Sequence, residues 1–268
     1  MENKRRILVT GACGNLGLKL SRHLRAQEQI LLTPIDVKAD DGLQVLEADL
    51  SSYDATWVKE FEGQEVIVHM AADPRPDAPW PSLQKHNVDA TINVYAAAVA
   101  HGVKRVVFAS SCQVMFGYSE PQRVTHESVP RPVNFYGATK VFGERLGKRY
   151  AEQYGLSTIS LRIGTIWRGE NAPTVGPYHG QRQWLSNRDF CQAVEKAIFV
   201  RDVSFAALFV TSNNTKPLWD LSETISVLDF HPQDTHNPIR PSQMARIKYR
   251  LRKVLLGGVR NVRNHSHG

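Results

Sequence analysis

The chain has 268 residues, 42% hydrophobic and 22% charged, enough for one large α/β domain with a sizeable core. Cys13, Cys112 and Cys191 are widely spaced and form no CxxC pair, which speaks against a zinc site or a disulfide framework, and no run approaches the ~20 apolar residues of a membrane span. The net charge of +7 sits at one end: the stretch from Thr235 onward carries +8 and no acid, the remainder carries −1, and no nucleic-acid motif accompanies the tail.

In chain order, Arg6–Thr10 is a short apolar run leading into Gly11 and reads as a buried strand. Asn15–Ala26 spaces its leucines as a helix. Ile30–Asp36, Val45–Ala48 and Val66–His69 are further apolar runs. Val88–His101 is an alanine-rich helix, and Arg105–Ser110 is strand-like. Tyr136–Tyr154 has a long helical pattern and Ser157–Arg162 closes the series as a strand. After Gly164 the pattern loosens. Gly164–Trp184 reads as a long loop, Asn187–Val200 as a helix, Ser204–Thr211 as a strand, and Pro217–Gln233 is ambiguous.

Strands alternating with helices at this spacing predict βαβ units: a doubly wound parallel sheet, helices on both faces, and a small C-terminal substrate lobe. One domain is expected over 1–234, with substrate elements mainly in 164–234 and a basic tail over 235–268. Ligands then belong at the carboxyl ends of the strands.

Thr10-Gly11-Ala-Cys-Gly14-Asn15-Leu16-Gly17 follows the first strand and opens the first helix. Glycines there permit a tight turn and close approach of backbone to a pyrophosphate, while the helix N-terminus offers N–H donors. An acid about 20 residues further on strengthens the signal. That acid is Asp36, which can accept from ribose hydroxyls and repel a 2′-phosphate, favouring NAD over NADP. Asp49, beside Leu50, is placed to reach adenine.

Tyr136 and Lys140 stand four residues apart, on one helix face. A phenol is a poor base at neutral pH, a nearby ammonium favours its phenolate, and the phenolate takes a proton as hydride leaves the substrate carbon. Spacing alone is cheap, since Tyr249 and Lys253 repeat it in the basic tail. Tyr136 differs in following a strand that ends in Ser110-Ser111.

With these motifs in order, the chain resembles the extended short-chain dehydrogenase/reductases, the epimerase/dehydratase group. The resemblance runs through TGACGNLG, Asp36, ADL at 48–50, HMAA at 69–72, NVDATINV at 87–94, FASSCQVMFG at 108–117, YGATK at 136–140 and LRIG at 161–164. It implies that Gly11, Gly14 and Gly17 hold the pyrophosphate and that Ala71 and Ala72 line the groove. It also implies that Asn87 supports the active site and that Ser111, with Ser110 as the neighbouring alternative, orients the substrate oxygen. Tyr136 becomes the acid/base, and Lys140 binds the nicotinamide ribose and lowers the Tyr136 pKa. A homodimer is part of the same implication, while the three widely spaced cysteines read as reduced thiols of a cytoplasmic protein.

About 70 residues separate Gly164 from the tail, little protein to wrap a nucleotide sugar. In length and in its FASSC, LRIGT and RQWLSNRDF runs the chain is most similar to the uronate dehydrogenases, which oxidise the anomeric carbon of a sugar acid. A substrate carboxylate needs a cation, and Arg75, Arg168, His179 and Arg182 are the candidates. Cys112 and Thr165 are expected beside the substrate, and Trp184 is read as packing. No metal is expected. An NAD-dependent sugar or sugar-acid dehydrogenase is the leading expectation. A nucleotide-sugar epimerase or dehydratase with tightly held NAD, and a non-catalytic NAD-sensing protein, are the alternatives. Met244–Leu256 can form a basic helix for weak contact with an anionic surface.

Overall fold

A computed structural model describes residues 4–40, 42–118, 124–169 and 178–240. Seven strands form one sheet: β1 (Arg5–Thr10), β2 (Ile30–Asp36), β3 (Leu46–Glu47), β4 (Val66–His69), β5 (Arg105–Ser111), β6 (Ser157–Ile163) and β7 (Phe205–Val210). Their order is β3-β2-β1-β4-β5-β6-β7 and every pairing is parallel. The chain reverses its direction of winding between β1 and β4. At that switch point the strand ends open a crevice that the flanking helices do not fill.

Side chains alternate across the sheet and build a core on each face. Ile7 and Val9 of β1 face one core with Leu20 and Leu24 of α1 (Asn15–Arg25) and Phe190, Val194 and Ile198 of α7 (Asn187–Phe199). Leu8 faces the other, with Trp57, Phe61, Val94 and Tyr95. Both faces of the sheet are covered, which is why the strands read as unbroken apolar runs.

Among the described residues the other α-helices are α2 (Ala55–Val58), α3 (Trp80–Leu83), α4 (Ala90–Ala100), α5 (Phe135–Tyr154), α6 (Tyr178–Arg182) and α8 (Ser222–Leu228). The helix expected from Val88 starts earlier. Pro81 sits in the first turn of α3, where its missing N–H costs nothing. A wide π turn over Gln84–Asp89 then joins α3 to α4. Such turns often mark functional sites, and this one carries Asn87. The stretch Gly164–Trp184 is not all loop in its described part: α6 lies in it, and Thr165 bridges Trp184. Pro217–Gln233 resolves into α8, closed by Asp229 in the left-handed conformation (φ 51°).

No helix of the described residues is long and apolar enough to cross a membrane. Met244–Leu256 lies outside the described residues, as do Tyr249 and Lys253.

Candidate active site

The crevice beyond β1 and β4 is a groove of about 450 Å³. Gly11, Gly14, Asp36, Asp49 and Leu50 line one part, and Ala71, Ala72, Asp73 and Arg75 another. Gly11 has φ +69°, and a Cβ on it would stand 2.6 Å from the Ala71 nitrogen. A Cβ on Gly17 would overlap the Gly11 carbonyl, so that glycine lets α1 close against the turn. Gly14 caps α1 without a side-chain hydrogen bond, leaving the first N–H groups to a ligand. Asn15 is exposed there, and Leu16 packs on the core below.

Asp36 ends β2 and accepts from the Cys13 backbone N–H at 2.9 Å and the Lys38 N–H at 3.2 Å. It fixes the glycine turn while keeping a carboxylate at the groove. Asp49 pairs with Lys85 at 2.8 Å. Burial works against its charge, but hydrogen bonds from Lys85 and Ser51 outweigh that and hold the carboxyl at about 2. An Asp36→Ala variant should bind NAD about 10–100-fold more weakly, the scale of a lost charged hydrogen bond, and lose discrimination against NADP. Calorimetric titration of both cofactors checks this.

The reacting end is built by β5 and α5. Asn134 caps α5 through the Gly137 N–H at 2.7 Å and is itself held by Gln113 Oε1 at 2.7 Å. Tyr136 and Lys140 on the first turns of α5 are 8% and 3% exposed. Ser111 at the end of β5 accepts from the Gln113 N–H at 3.2 Å and stands on the side of the Tyr136 phenol, where its hydroxyl favours the phenolate. Burial pushes the phenol up to about 12, and the negative charge of Asp73 adds to the rise. Lys140 Nζ lies 5.6 Å from the centre of the Tyr136 ring and 5.0 Å from that of Phe108. It has no hydrogen-bond partner among the described residues. Burial lowers it to about 7. The expected depression of the phenol by Lys140 is therefore not seen: burial raises the phenol and lowers the ammonium.

The depressed Lys140 gives a signed prediction. Below pH about 7 the folded protein bears the full cost of a buried ammonium. Between about 7 and the ordinary value of 10.5 the unfolded chain holds a proton that the folded protein has shed, so stability rises with pH. Urea unfolding at pH about 6, 8 and 9.5 should show this rise, and Lys140→Met should flatten it.

Asn87, carried by the wide turn, accepts the Asp73 N–H at 2.8 Å and donates to the Asp73 carbonyl and to Thr139 Oγ1. It locks the chain after β4 to the helix of Lys140. Two expected neighbours of the substrate point elsewhere. Ser110 donates to Glu144 at 2.7 Å, because alternate strand residues face opposite ways and Ser111 holds the Tyr136 side. Cys112 is 2% exposed, donates its thiol to the Arg162 carbonyl, and packs in the core with Val114 and Met115.

Among the candidate cations, Arg182 donates to the carbonyls of Lys216 and Pro217. His179 lies edge-on between Phe116 and Trp219, and burial lowers its pKa. Arg168 is exposed. Arg75 lines the groove, forked onto Asp73. Thr165 is half-buried, its backbone tied to Gln183 and Leu185. Trp184 is buried against His236. In the RQWLSNRDF run, Ser186 caps α7 and Asp189 binds Ser212 and the N–H groups of Gln233 and Asp234. Sequence reasoning missed Asp73, which directly follows the HMAA run.

A glycine turn that leaves room for backbone to approach a pyrophosphate, an acid at the end of β2, and a buried lysine without a hydrogen-bond partner among the described residues all fit NAD. With the serine–tyrosine pair on a doubly wound sheet, they define an NAD-dependent enzyme of the extended short-chain dehydrogenase/reductase type. The chain belongs to the NAD dependent epimerase/dehydratase family, whose model matches residues 7–173. It is 34% identical to L-arabinose 1-dehydrogenase (NAD(P)(+)) of Haloferax volcanii over 250 residues, covering 85% of this chain and 96% of that protein. It is 31% identical to uronate dehydrogenase of Pseudomonas syringae pv. tomato, covering 88% and 84%. The structure of Agrobacterium tumefaciens uronate dehydrogenase superposes with a TM-score of 0.75 at 29% identity, covering 87% and 86%.

Proposed function

We propose that the chain oxidises a small sugar or sugar acid at its anomeric carbon, using NAD. Tyr136, buried at the start of α5 with Lys140 one turn on and Ser111 at the end of β5, carries this reading. NAD, when bound, supplies the acceptor for the hydride lost from the substrate carbon. Ser111 holds the substrate hydroxyl against the Tyr136 oxygen, and the Tyr136 phenolate takes its proton. Lys140 would hold the nicotinamide ribose hydroxyls. Asp36 receives the adenine ribose, and the turn from Gly11 to Gly17 receives the pyrophosphate. The burial of Tyr136 and Lys140 excludes water from the proton transfer.

A panel of aldoses and uronates with NAD, followed by NADH absorbance, tests this. Net NADH formation with at least one of them is expected. NAD that co-purifies, with no net NADH and interconversion of nucleotide sugars, would replace it with an epimerase. NAD binding without any turnover would make the chain a cofactor sensor.

A further inference from the structure

We propose that the Asp73–Arg75 ion pair makes this site selective for an uncharged aldose over sugar acids and sugar phosphates. The proposal rests on the dehydrogenase reading above and narrows its substrate.

Arg75 stands on the groove wall, its side chain 61% exposed, in the segment that also packs Ala78 and Leu83 against Tyr136. A guanidinium in this place would be the natural receiver of a substrate carboxylate or phosphate. It takes such groups best through two parallel N–H bonds. Here that fork is already used. Nε donates to Asp73 Oδ1 at 2.9 Å and Nη2 to Oδ2 at 2.6 Å.

Asp73 is fixed in turn. It also accepts from the Arg75 N–H and from Ser82 Oγ at 2.6 Å, and Asn87 clamps its backbone on both sides. The carboxylate is 8% exposed and cannot swing away to free the guanidinium. The Arg75 hydrogen bonds hold its carboxyl well below the usual range, so it stays charged.

The charge balance of the segment points the same way. Asp77 adds a second carboxylate within reach of Arg75. Residues 73–77 therefore hold two acids and one base, and the field of Asp73 at the Tyr136 phenol is negative. A substrate carboxylate or phosphate would meet a cation whose charge is cancelled and whose binding edge is taken. A sugar hydroxyl meets no such obstacle: it accepts from the remaining Arg75 N–H groups without bringing a charge.

The test compares kcat/KM, by NADH formation, for L-arabinose and D-galactose against D-galacturonate, D-glucuronate and glucose 6-phosphate. The uncharged sugars should exceed the charged ones by at least about tenfold, the scale set by one uncompensated charge at a partly exposed site. Asp73→Asn leaves Arg75 unpaired and should shrink that preference, chiefly through a lower KM for the uronates. Arg75→Gln leaves the Asp73 carboxylate without its cation, so the charged sugars should fall further behind the uncharged ones. A uronate or sugar phosphate that matches the uncharged sugars would overturn the proposal while leaving the dehydrogenase reading intact. No NADH from any of these sugars, with NAD still bound, would overturn the dehydrogenase reading and the narrowing with it.

Discussion

Tyr136→Phe should lower kcat by about 10³-fold, within the range that a positioned acid/base supplies, and leave NAD affinity within about twofold. The substitution removes one oxygen from a ring that stays packed against Ala78 and Leu83. Ser111 keeps its Gln113 N–H, so the strand end does not unravel, and the cofactor groove loses no residue. A loss in kcat with an unchanged dissociation constant for NAD then marks a role in the proton transfer alone.

The pH profile gives an independent check. Burial places the free phenol at about 12, and only the phenolate accepts a proton. The phenolate fraction, and with it kcat/KM of the native enzyme, should climb with pH through the neutral range. Residual activity of Tyr136→Phe should lack this limb. A Phe variant with native kcat, or a native profile that falls from neutral pH upward, would remove Tyr136 from the chemistry.

Two kinds of information differ in how well the sequence displays them. The strands Ile30–Asp36 and Val66–His69 are readable to the residue, because a parallel strand covered on both faces is an apolar run with polar ends. The glycine turn, Asp36, Tyr136, Lys140 and Ser111 stand out in the sequence as candidates because each sits at the end of a legible strand or start of a legible helix. Helix α3 is hidden because the wide turn over Gln84–Asp89 interrupts the 3.6-residue period, and only the regular part from Ala90 shows it. The environment of Arg75 is hidden for another reason. Asp73 lies two residues away, but nothing in Asp-Pro-Arg says that the fork closes on Asp73 and not on a ligand. The neutralising contact depends on Asn87 and Ser82, brought in from the following helix. Ser110 and Cys112 were open to misplacement because a serine pair does not say which member faces the phenol.

The second large effect is expected at Glu144, which no local pattern distinguishes from an ordinary helix glutamate. It lies one turn beyond Lys140 on α5, 3% exposed. Its carboxylate accepts from Arg162 Nε at 2.9 Å and Nη2 at 2.8 Å, and from Ser110 Oγ. This ties the catalytic helix to β5 and β6 behind Ser111. Glu144→Ala should destabilise the protein by about 3–5 kcal/mol, because it leaves the Arg162 guanidinium buried without its carboxylate. Nη1 of Arg162 already lacks a partner, and the face of Phe209, 5.2 Å away, is poor compensation. Replacing both ends, as Glu144→Leu with Arg162→Met, removes the stranded charge along with the pair and should recover most of the loss. Urea unfolding of native, single and double variants measures both steps. Glu144 touches neither cofactor groove nor phenol, so the folded single variant should still bind NAD. An unchanged midpoint for Glu144→Ala would mean that the packing of α5 alone, and not this pair, holds Tyr136 and Lys140 against the strand ends.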